Sequence, residues 1–305
     1  MTRTLRLGTR GSPLALWQAN MVAQSLRAAH GWPETAIEIV VVRTTGDRVQ
    51  DRALAEVGGK ALWTKELDAK LLARDIDFAV HSMKDVETIR PREIAIAAMP
   101  PRADVRDRLI GAESLASLPP NARVGTSSPR RAAQVRRARP DAEIVLFRGN
   151  VDTRLRKLAD GEADATLLAA AGLDRLGRRH VGSTIEVTAM LPAPAQGAVG
   201  IEVRADDADM LRLLSAVDHP ATSACVRAER ALLAAVGADC RSPVAALAEV
   251  TGEAVRLRAE ILSGDGALCE AGEATFPSHD AEAPAALARR LLASAPPPLR
   301  DLFGA

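Results

Sequence analysis

The chain has 305 residues and a mass of 32.2 kDa, with 47% hydrophobic and 26% charged residues. Forty Lys and Arg against thirty-nine Asp and Glu give a formal net charge of +1, which excludes a polycationic nucleic-acid coat and an acidic disordered tail and confines any basic function to a local cluster. The length fits two or three domains at roughly 100 to 200 residues each, while three scattered cysteines and five isolated histidines give neither a disulfide framework nor zinc-ligand spacing, so no metal is expected.

Met1 to Gly8 carries arginines and no apolar h-region, and no charge-free apolar run is long enough for a bilayer. A cytoplasmic location is expected. Leu5 to Gly8 reads as a short strand. Ser12-Pro13 then supplies a cap and a first-turn proline for a helix carried by Leu14, Trp17, Met21 and Val22 and ended by Gly31. Ile37 to Val42 is a β-branched strand, Thr64 to Arg74 a helix, Phe78 to Val80 a buried strand and Ile94 to Met99 another, with Pro100-Pro101 marking a boundary. After Pro119-Pro120 the opening device returns: Arg123 to Thr126 leads into Ser128-Pro129 and a helix. The turns Gly8-Thr9-Arg10-Gly11-Ser12-Pro13 and Gly125-Thr126-Ser127-Ser128-Pro129 share one design, which predicts two related α/β units with largely parallel sheets facing one another across a cleft.

Glu143 to Phe147, a helix from Val151 to Leu158 and the strand Ala165 to Ala169 complete the second unit, followed by a strand at Ala198 to Val203 and a capped helix at Asp206 to Val217. Beyond Asp218-His219-Pro220 the pattern changes. A helix from Thr222 to Val236, strands at Ala245 to Val250, Val255 to Leu262 and Ala267 to Phe276 joined by tight turns, and a final helix at Ala281 to Ser294 predict a small C-terminal α+β domain.

Helix N-termini after tight turns attract anions through free backbone N-H groups and the helix dipole. Arg10 stands beside the first such turn, and Arg130, Arg131, Arg136 and Arg137 beside the second. Cations there oppose the dipole, and a bound anion resolves the conflict. Arg148-Gly149-Asn150 and Arg154, Arg156 and Lys157 add cations at the same edge. Only five of the forty basic residues are lysines, so codon bias and a solvated basic face are the competing explanation. Lys84-Asp85, after the strand Phe78-Ala79-Val80, stands where α/β sites collect or forms a surface pair. Gly58-Gly59-Lys60 belongs to a long loop without Walker A spacing. Cys225, within a helix, and Cys269, within a strand, read as small buried hydrophobes. Cys240 lies in the turn Gly237 to Pro243, where Arg241 favours thiolate and Asp239 opposes it; a nucleophile and a site of covalent attachment both fit.

Six ordered motifs closely resemble the porphobilinogen deaminase, or hydroxymethylbilane synthase, family of tetrapyrrole biosynthesis: Thr9 to Trp17, Val57 to Lys60, Val80 to Val86, Val124 to Arg131, Arg148 to Val151 and Gln196 to Glu202. The chain departs from the family pattern at Ala238-Asp239, where a glycine-rich turn is usual, at Glu87, where proline is common, and at Trp63, where phenylalanine is usual. The resemblance implies two lobes like those of a periplasmic binding protein, residues 1–99 with 198–217 and residues 102–193, and a third domain at 220–305. It implies a transferase that deaminates four porphobilinogen molecules and joins them head to tail on a dipyrromethane primer held by thioether linkage to Cys240, then releases hydroxymethylbilane by hydrolysis. A monomer without nucleic-acid or membrane partners is expected.

By that resemblance Lys84, Ser82, Thr126, Ser128, Arg130, Arg131 and Arg154 hold cofactor carboxylates, and Arg10, Ser12, Arg148, Arg175 and Gln196 serve the incoming substrate and its reaction. Lys60 belongs to an active-site loop. Loss of ammonia leaves a cationic methylene-pyrrolenine, and Asp85 is the carboxylate expected to stabilise it. Two other classes compete: a non-enzymatic small-anion binder using the same two-lobed cleft, and a nucleic-acid binder, which the 2% aromatic content and the absence of tyrosine disfavour.

Overall fold

The computed structural model describes residues 3–44 and 64–303. The loop carrying Gly58, Gly59, Lys60 and Trp63 lies outside them. Two compact units are present: among the described residues, one holds 3–44, 64–103 and 197–223, and the other 104–196 and 224–303.

In the first unit, strands β1 (Leu5–Arg10), β2 (Ile37–Val42), β3 (Phe78–Ser82), β4 (Ile94–Ala98) and β10 (Val199–Arg204) form one sheet in the order β2-β1-β3-β10-β4. Helix α1 (Pro13–His30) is capped by the Ser12 hydroxyl, which accepts from the Ala15 N-H, and ends at Gly31 in the left-handed region, φ 64°. Its apolar stripe of Ala19, Val22, Ala23 and Leu26 is buried on Leu5, Leu7, Phe78 and Val80 of the sheet. On another cluster, α2 (Lys65–Leu72) buries Leu67 and Leu71 against Ile76 and Ala79.

The second unit contains β5 (Asp107–Ile110), β6 (Arg123–Thr126), β7 (Glu143–Leu146), β8 (Ala165–Ala169) and β9 (Ser183–Ile185), ordered β7-β6-β8-β5-β9. The two sheets repeat one topology. In each, the strand before the Ser-Pro turn pairs in parallel with its next strand and with the one after, and the fourth strand in order runs antiparallel to both its neighbours. Gly8 on β1 pairs with Val40 and Ala79, as Gly125 on β6 pairs with Val145 and Thr166, so the duplicated turns occupy equivalent places. The expectation of largely parallel sheets is therefore corrected to mixed ones. Each antiparallel strand, β10 or β5, lies next to a point where the chain passes between units.

The second unit also carries α3 (Pro129–Ala138), α4 (Val151–Ala159) and α5 (Ala170–Arg175). In its C-terminal part the antiparallel sheet of β11 (Val244–Thr251), β12 (Ala254–Leu262) and β13 (Cys269–Pro277) is covered by α7 (Pro220–Ala235) and α8 (Ala283–Ser294). Leu232, Val236, Leu257, Ile261, Leu287 and Leu291 fill that core. The predicted helix at Asp206 to Val217 is α6 (Ala208–Leu214), capped by Asp207, followed by a 3-10 turn. Strands β5 and β9 and the short helices α5 and α9 (Pro297–Arg300) are additions to the sequence reading. The observed class is mixed α/β with a small C-terminal α+β part.

Candidate active site

In the first unit, two strand ends meet around a small cavity of about 50 Å³ lined by Arg10, Ser12, Gln18, Thr64, His81, Ser82 and Asp85 among others. Arg10 ends β1 and Ser12 caps α1, so a cation and a helix N-terminus border one cavity. Ser82 ends β3 and accepts a hydrogen bond from Gln18 Nε2 at 2.8 Å. The chain then makes a 3-10 turn, Met83–Asp85, which presents Lys84 and Asp85. Its geometry is fixed from below: the Met83 N-H donates to the Ala198 carbonyl at 3.1 Å, and Met83 is buried over Gly200, where an added Cβ would stand 1.9 Å from its sulfur.

Beneath the cavity lies an ion network that the sequence reading did not identify. Glu202 is fully buried; Arg90 Nε and Nη2 donate to its two oxygens at 2.8 and 2.9 Å, and His81 Nε2 lies 3.1 Å from Oε2. Burial alone would raise the Glu202 pKa, but His81 and Arg90 outweigh it and bring the carboxyl down to about 2. Arg90 also donates to Asp68 and Glu87 at 2.6 and 2.5 Å. Glu87, at the position where the family commonly has proline, thus has a structural partner, and it accepts from Thr64 Oγ1 as well.

In the second unit the β6-to-α3 turn gathers Thr126, Ser127 and Ser128. The Ser128 hydroxyl caps α3, and the Thr126 hydroxyl accepts from the Ser128 N-H at 3.1 Å. Arg130 and Arg131 follow at the first turn. The counter-charge that the sequence reading assigned to a bound anion is Asp107 of β5, wholly buried: Arg130 Nη2 reaches Oδ2 at 2.8 Å and Arg131 Nη2 reaches Oδ1 at 2.7 Å. Desolvation alone would raise the Asp107 pKa; the two guanidiniums overcome it and hold the carboxyl well below the usual range. Burial pulls Arg130 down, with Asp107 opposing. The remaining guanidinium N-H groups are not all used, for Nε of both Arg130 and Arg131 is buried without a partner.

Gln196, expected among the reacting residues, is fully buried, and its Nε2 donates to the Val105 carbonyl and to Asp107 Oδ1, both at 2.8 Å. Its amide supports Asp107 from within. The preceding Ala195 adopts φ 62°, and its N-H donates to the buried Glu229 carboxylate at 2.6 Å, which holds this strained turn in place. Thr126 is likewise buried and engaged in its own turn.

Arg154 reaches back from α4, its Nε donating to the Gly149 carbonyl at 3.0 Å and Nη2 to Ser127 Oγ at 3.3 Å, so the Arg148-Gly149-Asn150 and Ser127-Ser128 motifs are joined. Arg148 is buried just before Asn150, which caps α4. Arg175 ends α5, where burial lowers its pKa to about 10.

Cys240 is exposed and Cys225 buried, while Cys269 is half-buried, with desolvation pushing its thiol pKa up. The Arg241 charge expected to favour the Cys240 thiolate is taken by Asp239, whose Oδ2 accepts from Nη2 at 2.7 Å. Asp239 also accepts from the Arg241 N-H, and its own N-H donates to Ser242 Oγ. The turn that is glycine-rich in the family is therefore stiffened here by an aspartate. An exposed thiol and buried, unpartnered guanidinium N-H groups are the chemistry that a thioether-linked polycarboxylate requires, so the residues present fit a dipyrromethane.

Residues 5–212 match the family model described as porphobilinogen deaminase, dipyromethane cofactor binding domain, and residues 223–293 match its C-terminal domain. Porphobilinogen deaminase of Sphingopyxis alaskensis is 61% identical over 305 residues, covering 98% of this chain and 96% of that protein. That of Paracoccus denitrificans is 51% identical over 282 residues, covering 92% and 90%. Among solved structures, a periplasmic VFT2 domain of Bordetella pertussis BvgS matches with TM-score 0.41 and 16% identity over 70% of this chain and 86% of that one. A sulfonate-binding protein of Methylobacillus flagellatus matches with TM-score 0.39 and 16% identity over 75% and 67%. With both family models together spanning most of its length and relatives above half identity along nearly all of it, the chain belongs to the porphobilinogen deaminase family.

Proposed function

We propose that this chain joins four porphobilinogen molecules head to tail on a dipyrromethane carried by the Cys240 sulfur and releases hydroxymethylbilane, with the Asp85 cavity as the place of reaction. The observation that supports this most is the convergence of Arg10, Ser12, Ser82 and Asp85 on one cavity. When bound, the dipyrromethane supplies the free pyrrole α-carbon to which the first substrate is added.

Each pyrrole carries an acetate and a propionate. Arg10 and the N-terminus of α1 bind such carboxylates of the incoming ring, with Arg148 and Arg175 as further cations. Lys84, Ser128 and Arg154, with the unpartnered Nε-H groups of Arg130 and Arg131, hold those already attached. Asp85 accepts from pyrrole N-H groups and stabilises the positive charge that develops as ammonia leaves, a contribution of about 3 to 4 kcal/mol for a preorganised group of this kind. The reading also includes Lys60 as a loop contact, three domains at residues 1–99 with 198–217, 102–193 and 220–305, and a cytoplasmic monomer that uses no nucleic acid. Intact mass and turnover test it together: Asp85→Asn is expected to keep an adduct of two pyrrole units and to turn over porphobilinogen at least ~100-fold more slowly. Near wild-type turnover with the adduct in place would overturn the role of Asp85.

A further inference from the structure

An imidazole that this mechanism leaves unused is on the wall of the Asp85 cavity, with a buried carboxylate beside it. His81 is on β3 and Glu202 on β10; His81 pairs directly with Gly200, so Glu202 is its diagonal neighbour on the same face. Nε2 of His81 stands 3.1 Å from Glu202 Oε2, the two side chains being 4% and 0% exposed. That nitrogen is sealed from solvent and faces the fixed Glu202 carboxylate, while His81 is among the residues that line the same cavity as Asp85, Arg10, Ser12 and Ser82. A carboxylate held against one nitrogen of an imidazole beside a site is the arrangement in which an acid orients an imidazole for proton transfer.

We propose that His81, oriented by Glu202, carries the proton of each condensation; this rests on the reading of the Asp85 cavity as the place of reaction. The substrate enters with its aminomethyl group as an ammonium. Its C-N bond breaks, the electron pair leaving on ammonia, and the methylene carbon bonds to the free α-carbon of the terminal pyrrole. The C-H bond at that α-carbon then returns its electron pair to the ring and gives its proton to neutral His81. His81 passes the proton to ammonia, which departs as ammonium, and the imidazole is neutral again. No other reactant is required. The charged groups around the imidazole are Glu202 from β10 with Arg90 behind it, Asp85 from the 3-10 turn and Arg10 at the end of β1.

Kinetic measurements on the holoenzyme test this. In kinetics, His81→Gln is expected to lower kcat at least ~100-fold with a smaller change in KM, and porphobilinogen deuterated at its free α-carbon is expected to react with a larger isotope effect than in wild type. A slow variant whose isotope effect is unchanged marks a structural residue and overturns the proposal. If His81→Gln runs at full rate while Asp85→Asn is slow, His81 alone is excluded; if both run at full rate, the cavity is not the place of reaction.

Discussion

Arg131 Nη2 lies 2.7 Å from Asp107 Oδ1, in a pair whose carboxyl has no exposure at all. Arg130 takes the other oxygen and Gln196 shares the first. One aspartate at the start of a four-residue strand thereby sets the positions of two cations proposed to meet cofactor carboxylates, and its charge lets both stay buried at a helix N-terminus that would otherwise repel them.

Asp107→Asn removes that charge while keeping the shape, leaving two desolvated guanidiniums without an anion. Breaking a buried ion pair by neutralising one partner costs about 3 to 5 kcal/mol, so the urea midpoint should fall substantially, and the folded fraction should carry less of the two-pyrrole adduct. Arg131→Ala, which uncovers Asp107, should cost a comparable amount, and the double variant should cost less than the sum because both changes remove one interaction. Additive costs in the cycle would show that the two residues act separately.

Acid should destabilise the protein through Glu202 as well as Asp107. Both carboxyls have pKa values lowered by folding, so their stabilisation is fully present above the unfolded value and is lost as pH falls through the folded one. For Glu202, whose pKa moves from an ordinary 4.5 to about 2, the contribution is ~3 kcal/mol, lost between about pH 5 and pH 2. Asp107 adds to the loss from the same acid side. Unfolding free energy measured against pH should therefore decline below about pH 5, and in Glu202→Gln, although lower throughout because Arg90 loses its central partner, it should decline less steeply.

The three cysteines should separate cleanly. Cys240→Ser should be isolated without adduct and with little turnover, because a serine hydroxyl is a far weaker nucleophile than a thiolate. Cys225→Ser puts a hydroxyl in the core formed by Leu232, Val236 and Leu257 and should cost about 1 to 3 kcal/mol of stability while keeping the adduct. Cys269→Ser, at a half-buried strand start with a raised thiol pKa, should cost less and also keep it. Intact-mass spectra decide the matter: an adduct that survives Cys240→Ser sends the attachment elsewhere.

The repeated Ser-Pro turn was readable in the sequence because it is local chemistry, a capping hydroxyl and a first-turn proline after a short strand, and both copies stand at equivalent places in sheets of one topology. The discomfort of Arg130-Arg131 at a helix N-terminus was readable for the same reason. Its resolution was not, since Asp107 lies 23 residues away from Arg130 in a strand, Asp107-Arg108-Leu109-Ile110, with two charges in four positions and no apolar periodicity. The antiparallel direction of β10, read from the sequence as a strand, was not legible, because strand direction is set by where the chain crosses between units and leaves no periodic trace. Arg90 and Asp68 stand in no motif, and Glu202 ends one that says nothing of its partners; only the β3-β10 pairing, which buries Glu202 beside His81, makes them a network.

Gly200→Ala should damage the reaction through a residue that is itself remote from it. The added methyl would meet the Met83 sulfur at 1.9 Å, and Met83, 1% exposed, has little room to retreat. Accommodating it requires Met83 to shift, and Met83 is the first residue of the 3-10 turn that presents Lys84 and Asp85. Overpacking of this kind costs typically about 1 to 3 kcal/mol, and a displacement of Asp85 by even ~1 Å can cost ~100-fold in rate. The expected result is a folded, adduct-bearing enzyme with a modestly lower melting temperature and a disproportionate fall in kcat. Met83→Val in the same chain frees the space the new methyl needs, so the double variant should recover much of that rate. A kcat that falls no more than stability predicts, or a double variant slower than both singles, would show that the Met83-Gly200 contact does not set the position of Asp85.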